Sequence, residues 1–102
     1  MLSIKKELSE DFEQLMHKVA FESKDYELVI ALGSGCFQRD PSSQVALRNA
    51  KASAALHQLD HTIGWLQAYE RTGGMDLKEI LKDPIFDPVR SSDQFKEFSS
   101  RI

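Results

Sequence analysis

Apolar residues recur along this chain with a period near 3.6, the repeat of an α-helix seen from one side. Leu8, Phe12, Leu15, Met16 and Val19 stand at steps of four, three, one and three, with Glu10, Asp11, Glu13, Gln14 and Lys18 between them. That spacing predicts a first helix with an apolar stripe toward the core and a charged face toward water. Ser3 or Ser9 can cap its start, since a short hydroxyl side chain accepts from the free N–H groups of a first turn. The polar stretch Glu22-Ser23-Lys24-Asp25 ends it, with Ser23 or Asp25 as the next cap. A second helix is predicted from Tyr26 to Arg39, with Tyr26, Val29, Ile30, Gly33, Cys36 and Phe37 on one face. Asp40-Pro41 stops it, because the residue before a proline is pushed out of the α region.

The stretch Leu28-Val29-Ile30-Ala31-Leu32 followed by Gly33-Ser34-Gly35 admits a rival reading, a buried strand entering a phosphate-binding glycine loop. Glycine inside a helix costs about 1 kcal/mol, which favours the rival. Against it, Gln38 stands where that motif needs its third glycine, and no second strand is visible to pair with the first. The helix is the better account. Gly33 and Gly35 then mark flat places where a neighbouring helix comes close.

A third helix is predicted from Ser43 to about His57, rich in alanine, the best helix former. Leu59-Asp60 reads as a short turn with Asp60 as cap, and a fourth helix carries Ile63, Trp65, Leu66, Ala68 and Tyr69 as far as Gly73-Gly74. Beyond it, Leu77 to Leu81 suggests one or two helical turns. The segment Asp83-Pro84-Ile85-Phe86-Asp87-Pro88-Val89 is expected to be extended or turning, since both prolines restrict their neighbours. Ser92 or Asp93 can cap a last short helix bearing Phe95 and Phe98. Four long helices with short connections make antiparallel neighbours. The fold class expected is all-α: antiparallel helical hairpins stacked as an α-solenoid, closed by a short C-terminal capping segment.

Composition changes this picture little. A chain of 102 residues is one domain, and 41% apolar with 28% charged residues is ordinary for a globular protein. A net charge of -3 does not suit a nucleic-acid binder, which needs a basic face. No segment approaches the ~20 apolar residues of a membrane span, and the opening residues do not read as a signal peptide. A lone cysteine, Cys36, makes no demand for an oxidising compartment. A cytoplasmic location is the expectation.

Helix, turn, helix occurs twice. Lys24-Asp25-Tyr26 heads the second helix and Gln58-Leu59-Asp60 heads the fourth, 34 residues on. Residues 24–43 run Asp-Tyr, aliphatic helix, small residue at Cys36, then Asp40-Pro41. They resemble the second half of a tetratricopeptide repeat, whose period is about 34 residues. Residues 60–71 look like the same helix, with Ala68 as its small residue. The tail Leu81-Lys-Asp-Pro-Ile-Phe-Asp-Pro-Val-Arg is similar to the segment that closes many bacterial tetratricopeptide proteins. The resemblance covers about residues 10–100. It divides one domain into a first hairpin (10–43), a second hairpin (44–74) and a capping tail (75–102). The first helix departs from the family pattern, with Met16-His17 in place of the usual glycine, and the second unit ends in Gly73-Gly74 instead of proline.

Two repeats fall short of the usual three. Three accounts meet that shortfall: the tail is a cap, the chain is the C-terminal piece of a longer protein, or it is a homodimer. The resemblance implies that the first helices of successive hairpins line a concave groove for a peptide or partner protein. Carried onto this chain, that groove includes Gln14, Lys18, Phe21, Arg48 and Lys51, with Ala52 nearby. Three of these are cations in an otherwise acidic protein, a place for a carboxylate or acidic peptide. The family's lysine-asparagine carboxylate clamp is not matched, Asn49 being the only asparagine.

Other chemistry reads more weakly. His57 and His61 stand four apart with Asp60 between, as two metal ligands on one helix face would, and in the order of an inverted zinc-protease motif with aspartate for glutamate. The turn at Leu59-Asp60 breaks that face, and no third ligand follows. His17 reads as a partly buried helix histidine, Cys36 as a small hydrophobe, and Trp65 with Tyr69 as core. Glu7, Glu10, Asp11 and Glu13 form a solvated acidic start. No catalytic residues, metal or cofactor are assigned. The expectation is a protein-interaction module, with self-association as the alternative and a metal-dependent hydrolase at His57 and His61 behind both.

Overall fold

The computed structural model describes the chain from Leu2 to Ile102, with side chains from Phe12 onward. The side chains of Ser3, Glu7, Leu8, Ser9, Glu10 and Asp11 lie outside the described residues. Four long helices follow one another, α1 (Leu2–Glu22), α2 (Tyr26–Arg39), α3 (Ser43–Ala55) and α4 (Leu59–Arg71). After them come α5 (Leu77–Ile80), a 3₁₀ turn (Pro84–Phe86), α6 (Asp87–Arg90) and α7 (Asp93–Ser100). The described residues contain no strand, so the fold is all-α, and Leu28 to Gly35 lie inside α2. Among them no helix is long and apolar enough to cross a membrane.

Each long helix packs on the next, and α1 also touches α3. Both hairpins turn through the same device. At the end of α1 the Asp25 N–H bonds Ala20 O at 2.8 Å and the Lys24 N–H bonds Phe21 O at 3.1 Å. At the end of α3 the Gln58 N–H bonds Ser53 O at 2.9 Å and the His57 N–H bonds Ala54 O at 3.0 Å. These are the paired bonds of a Schellman cap, which needs a left-handed residue after the helix. Lys24 (φ 63°) and His57 (φ 61°) fill that place, and Gly73 (φ 90°) fills it at the end of α4.

The turns therefore correspond Lys24 to His57 and Asp25 to Gln58, a spacing of 33 and not the 34 read from the sequence. One residue of slip has a consequence. Gln58, not Asp60, is the N-cap of α4, and it makes no side-chain capping bond, whereas Asp25 accepts from the Leu28 N–H at 3.3 Å. Asp60 lies in the first turn of α4, where a negative charge still favours the helix end.

The tail folds back on the second hairpin, its 3₁₀ turn and α6 against α3 and its α7 against α4. The segment expected to be extended is instead coiled. Asp83 accepts from the Ile85 N–H at 3.0 Å, and each proline sits at the start of a helical turn, where its missing N–H costs nothing. Phe86, Val89 and Phe95 are buried with Leu66, Ala46, Ala50 and Ala54 in one core, the Phe86 and Phe95 rings 6.3 Å apart. The alanines of α3 let the aromatic tail lie close to the helix.

The first helix is turned from the expected orientation. Phe12, Leu15 and Val19 of the apolar stripe are 60%, 56% and 50% exposed, and the face against the body carries the fully buried His17 with Ala20. The reason lies in what α1 packs against. Its neighbours present the Cys36 and Gly33 carbonyls and the Asn49 amide, and these accept polar partners: Gln14 Nε2 donates to Cys36 O at 2.9 Å, and His17 meets Asn49 at 2.7 Å.

At Gly33 the Asn49 side chain of α3 lies against the backbone of α2. A methyl group there would stand 2.8 Å from Asn49 Cγ, well inside contact distance, whereas one on Gly35 would meet nothing within 4 Å. Alanine normally improves a helix by about 1 kcal/mol over glycine. Gly35→Ala is expected to stabilise the chain by roughly 0.5–1 kcal/mol. Gly33→Ala is expected to cost about 2 kcal/mol by displacing Asn49. Urea unfolding of both variants checks the opposite signs, and two stabilised proteins would refute the close packing.

Candidate functional site

Three helices meet at His17. Asn49 Nδ2 donates to Gly33 O at 3.2 Å, which leaves its Oδ1 to face the histidine as an acceptor. His17 Nε2 must therefore carry the proton that reaches Asn49 Oδ1 at 2.7 Å. Nδ1 is left with a lone pair and accepts from Arg48 Nη1 at 3.0 Å. One backbone carbonyl on α2 thus sets, through Asn49, the tautomer of a histidine on α1 and the place of an arginine on α3.

Burial pushes the His17 pKa below its ordinary 6.5; the Asn49 bond opposes this and the Arg48 charge adds to it. The ring is held neutral. Burial also raises the Cys36 thiol, with Arg48 opposing, and Sγ donates to Glu13 O at 3.7 Å. A protonated, buried thiol is a packing group and not a nucleophile.

Arg48 opens onto a cleft of about 440 Å³ between α1 and α3, lined by Lys18, Phe21 and Glu22 on one side and Gln44, Leu47, Arg48 and Lys51 on the other. Four of the five groove residues expected from the sequence, Lys18, Phe21, Arg48 and Lys51, come together here. The fifth, Gln14, is spent on the Cys36 carbonyl, and Ala52 is buried behind the cleft. Phe21 and Leu47 supply apolar surface, each half-buried.

The cations differ in freedom. Lys51 Nζ stands 3.2 Å from Asp83 Oδ2, so the tail reaches the rim of the cleft. The Ile85 N–H depresses the Asp83 pKa; burial opposes this, and Lys51 and Arg90 assist it. Lys18 is exposed. Arg48 forms no ion pair among the described residues, and its one recorded bond goes to a neutral imidazole. A guanidinium has five N–H donors in a planar fork, and only one of those of Arg48, which lines the cleft, has a partner among the described residues. Glu22 is the single acid of the lining. The arrangement suits a carboxylate laid beside an apolar side chain.

The remaining candidates separate. His57 is the left-handed residue of a turn and His61 is inside α4, so they do not share a helix face. No cluster of three metal-ligating side chains occurs among the described residues. Tyr69 is buried and donates to Met75 O at 2.5 Å, and Trp65 packs edge-on against Phe37 at 5.2 Å. Of the acidic start, Glu13 is ion-paired with Arg39 of α2. The sequence drew notice to Asn49 only as a lone asparagine, and its place against Gly33 and His17 comes from the packing of three helices. No family model, curated protein or solved structure matches the chain.

The neutral His17 ties stability to pH. Its pKa in the fold is below 6.5, so the unfolded chain binds the extra proton first on acidification. The contribution is complete above pH 6.5 and is lost as pH falls through 6.5 toward the folded value. Unfolding free energy is expected to fall as pH is lowered from 7.5 to 5.5. The drop should be absent in His17→Gln, measured by urea titration at each pH. An equal slope in that variant would assign the effect elsewhere.

Proposed function

We propose that this chain is a non-enzymatic, tetratricopeptide-like interaction module whose α1/α3 cleft receives an acidic segment of a partner protein. The observation that carries the reading is Arg48, a guanidinium held at the cleft wall with no carboxylate of its own among the described residues. Charge-assisted, fork-shaped contacts to carboxylate are what arginine does best. Lys18 adds a second cation, and Phe21 with Leu47 offers an apolar side chain somewhere to rest. Two hairpins of like turn geometry, a closing Asp40-Pro41 and a tail folded on the last hairpin support the repeat-like part of the reading. A cytoplasmic location goes with it, since a lone buried thiol needs no oxidising compartment.

A hexaglutamate peptide titrated into labelled protein at low salt is expected to shift the amides of α1 and α3 around the cleft. The double variant Lys18→Glu/Arg48→Glu, shown by circular dichroism to be folded, should lose at least about tenfold in affinity, the worth of 1.4 kcal/mol. Equal affinity in that variant would end the cleft reading.

Self-association is the second reading, and Phe12, Leu15 and Val19 favour it. They form an exposed apolar row on the outer face of α1, and such rows mark interfaces more often than isolated exposed residues do. Light scattering across a concentration series is expected to show dimer in this case, and Leu15→Glu should return monomer. A monomer throughout would remove it.

A further inference from the structure

The buried histidine behind the cleft has no need to be a histidine for packing alone, and its two nitrogens do different work. Nε2–H is committed to Asn49, whereas Nδ1 is committed to Arg48. A proton added to this ring leaves the first contact intact and destroys the second. Nδ1 becomes a donor facing a donor 3.0 Å away, on a ring that is then a cation beside a guanidinium.

We propose that His17 is the positioning residue of the cleft: its neutral ring holds the Arg48 guanidinium in place for an anionic partner segment, and protonation of His17 releases it. This rests on the cleft being the working surface. The segment cannot reach the ring itself, which is fully buried, so His17 acts through Arg48 alone.

The surroundings leave the device unopposed among the described residues. From α3 the charged groups toward the cleft are Arg48 and Lys51, the second leaning on Asp83 from the tail. From α2 the nearby titratable group is the Cys36 thiol, kept protonated by burial, while Arg39 is ion-paired with Glu13 of α1. On α1 itself Lys18 and Glu22 lie in the cleft lining. None of these carboxylates is recorded bonding to His17, so no described acid compensates an imidazolium there. A released arginine keeps its charge but must give up side-chain freedom again to bind. That ordering opposes binding, because so long a side chain has many rotamers to lose. The added ring charge attracts an anion in the opposite sense, but at a remove and through a screened, open cleft.

Nitrogen-15 NMR of the protein without any partner tests the coupling directly. At pH 7.5 His17 is expected in the Nε2–H form, with the Arg48 side-chain N–H signals resolved and slow to exchange. Both sets of signals should change with one midpoint below pH 6.5, while circular dichroism confirms that the helices persist. An Nδ1–H tautomer, or Arg48 signals indifferent to the His17 titration, would overturn the proposal.

The second arm uses a peptide of six cysteic acid residues, whose sulfonates stay ionised throughout. Its affinity is expected to fall three- to tenfold between pH 7.5 and 5.0 with the NMR midpoint, and to lose that pH dependence in His17→Gln. Binding that is equal at both pH values in the unmodified protein overturns the positioning role and leaves the cleft reading standing. Absence of binding at every pH, with the NMR coupling intact, overturns the cleft reading and with it the role of His17 there. Should His17→Gln fail to fold, the shared midpoint of Arg48 and affinity in the unmodified protein decides the matter.

Discussion

The contact between His17 and Asn49 is the point on which the first hairpin depends. It joins three helices through two side chains, ends on the Gly33 carbonyl and leaves no choice of tautomer. Polar groups buried this completely are costly when left without partners, and here each polar side-chain atom of His17 and Asn49 has one. A satisfied network is also directional, which an apolar contact is not. Leucine at position 17 would bury as much surface yet could set neither the rotation of α1 nor the place of Arg48.

That rotation divides the molecule into two kinds of core. Around α3, α4 and the tail the packing is apolar, with alanines on one side and Phe86, Phe95 and Leu66 on the other. Where α1 and α2 meet α3 a much smaller apolar group, Ala20, Val29 and Ala52 with partly buried neighbours, is supplemented by side-chain hydrogen bonds from Gln14 and His17. The second hairpin and its cap hold together as a hydrophobic unit, and the first joins it through the polar contacts of His17 and Asn49 together with apolar ones such as Phe37 on Trp65. The candidate cleft lies along the seam between them, where Lys18 and Phe21 from one unit face Arg48 and Lys51 from the other. Binding along such a seam joins the two units, so ligand affinity and the docking of α1 are linked quantities.

Much of the fold was legible in residues and their spacing. The 3.6 period marked α1 and α2 and alanine content marked α3, and of the caps expected from the sequence Asp25 and Ser92 each accept a capping bond at a helix start. The tail was read as a cap from its likeness to a closing segment, and Phe86, Val89 and Phe95 are buried with Leu66 and the α3 alanines. Four of five groove residues were placed together, since helices α1 and α3 are side by side in any stacked pair of hairpins. The spacing of the turns was misjudged by one residue because His57, a non-glycine residue in left-handed conformation, gives no signal of its geometry.

Sequence by itself determined that the chain is helical and where most helices begin and stop. Local propensity, capping chemistry and periodic apolar residues act within a few positions of one another, so they can be read without knowing the neighbours. Tertiary structure alone decided which face of α1 turns inward, that Gly33 is a contact and Gly35 is not, and that Gln14 serves α2 instead of the cleft. Those outcomes depend on which donor meets which acceptor across helices far apart in the chain. On α1 such pairing outweighed the burial of Phe12, Leu15 and Val19, and no pattern along the helix itself could have announced it.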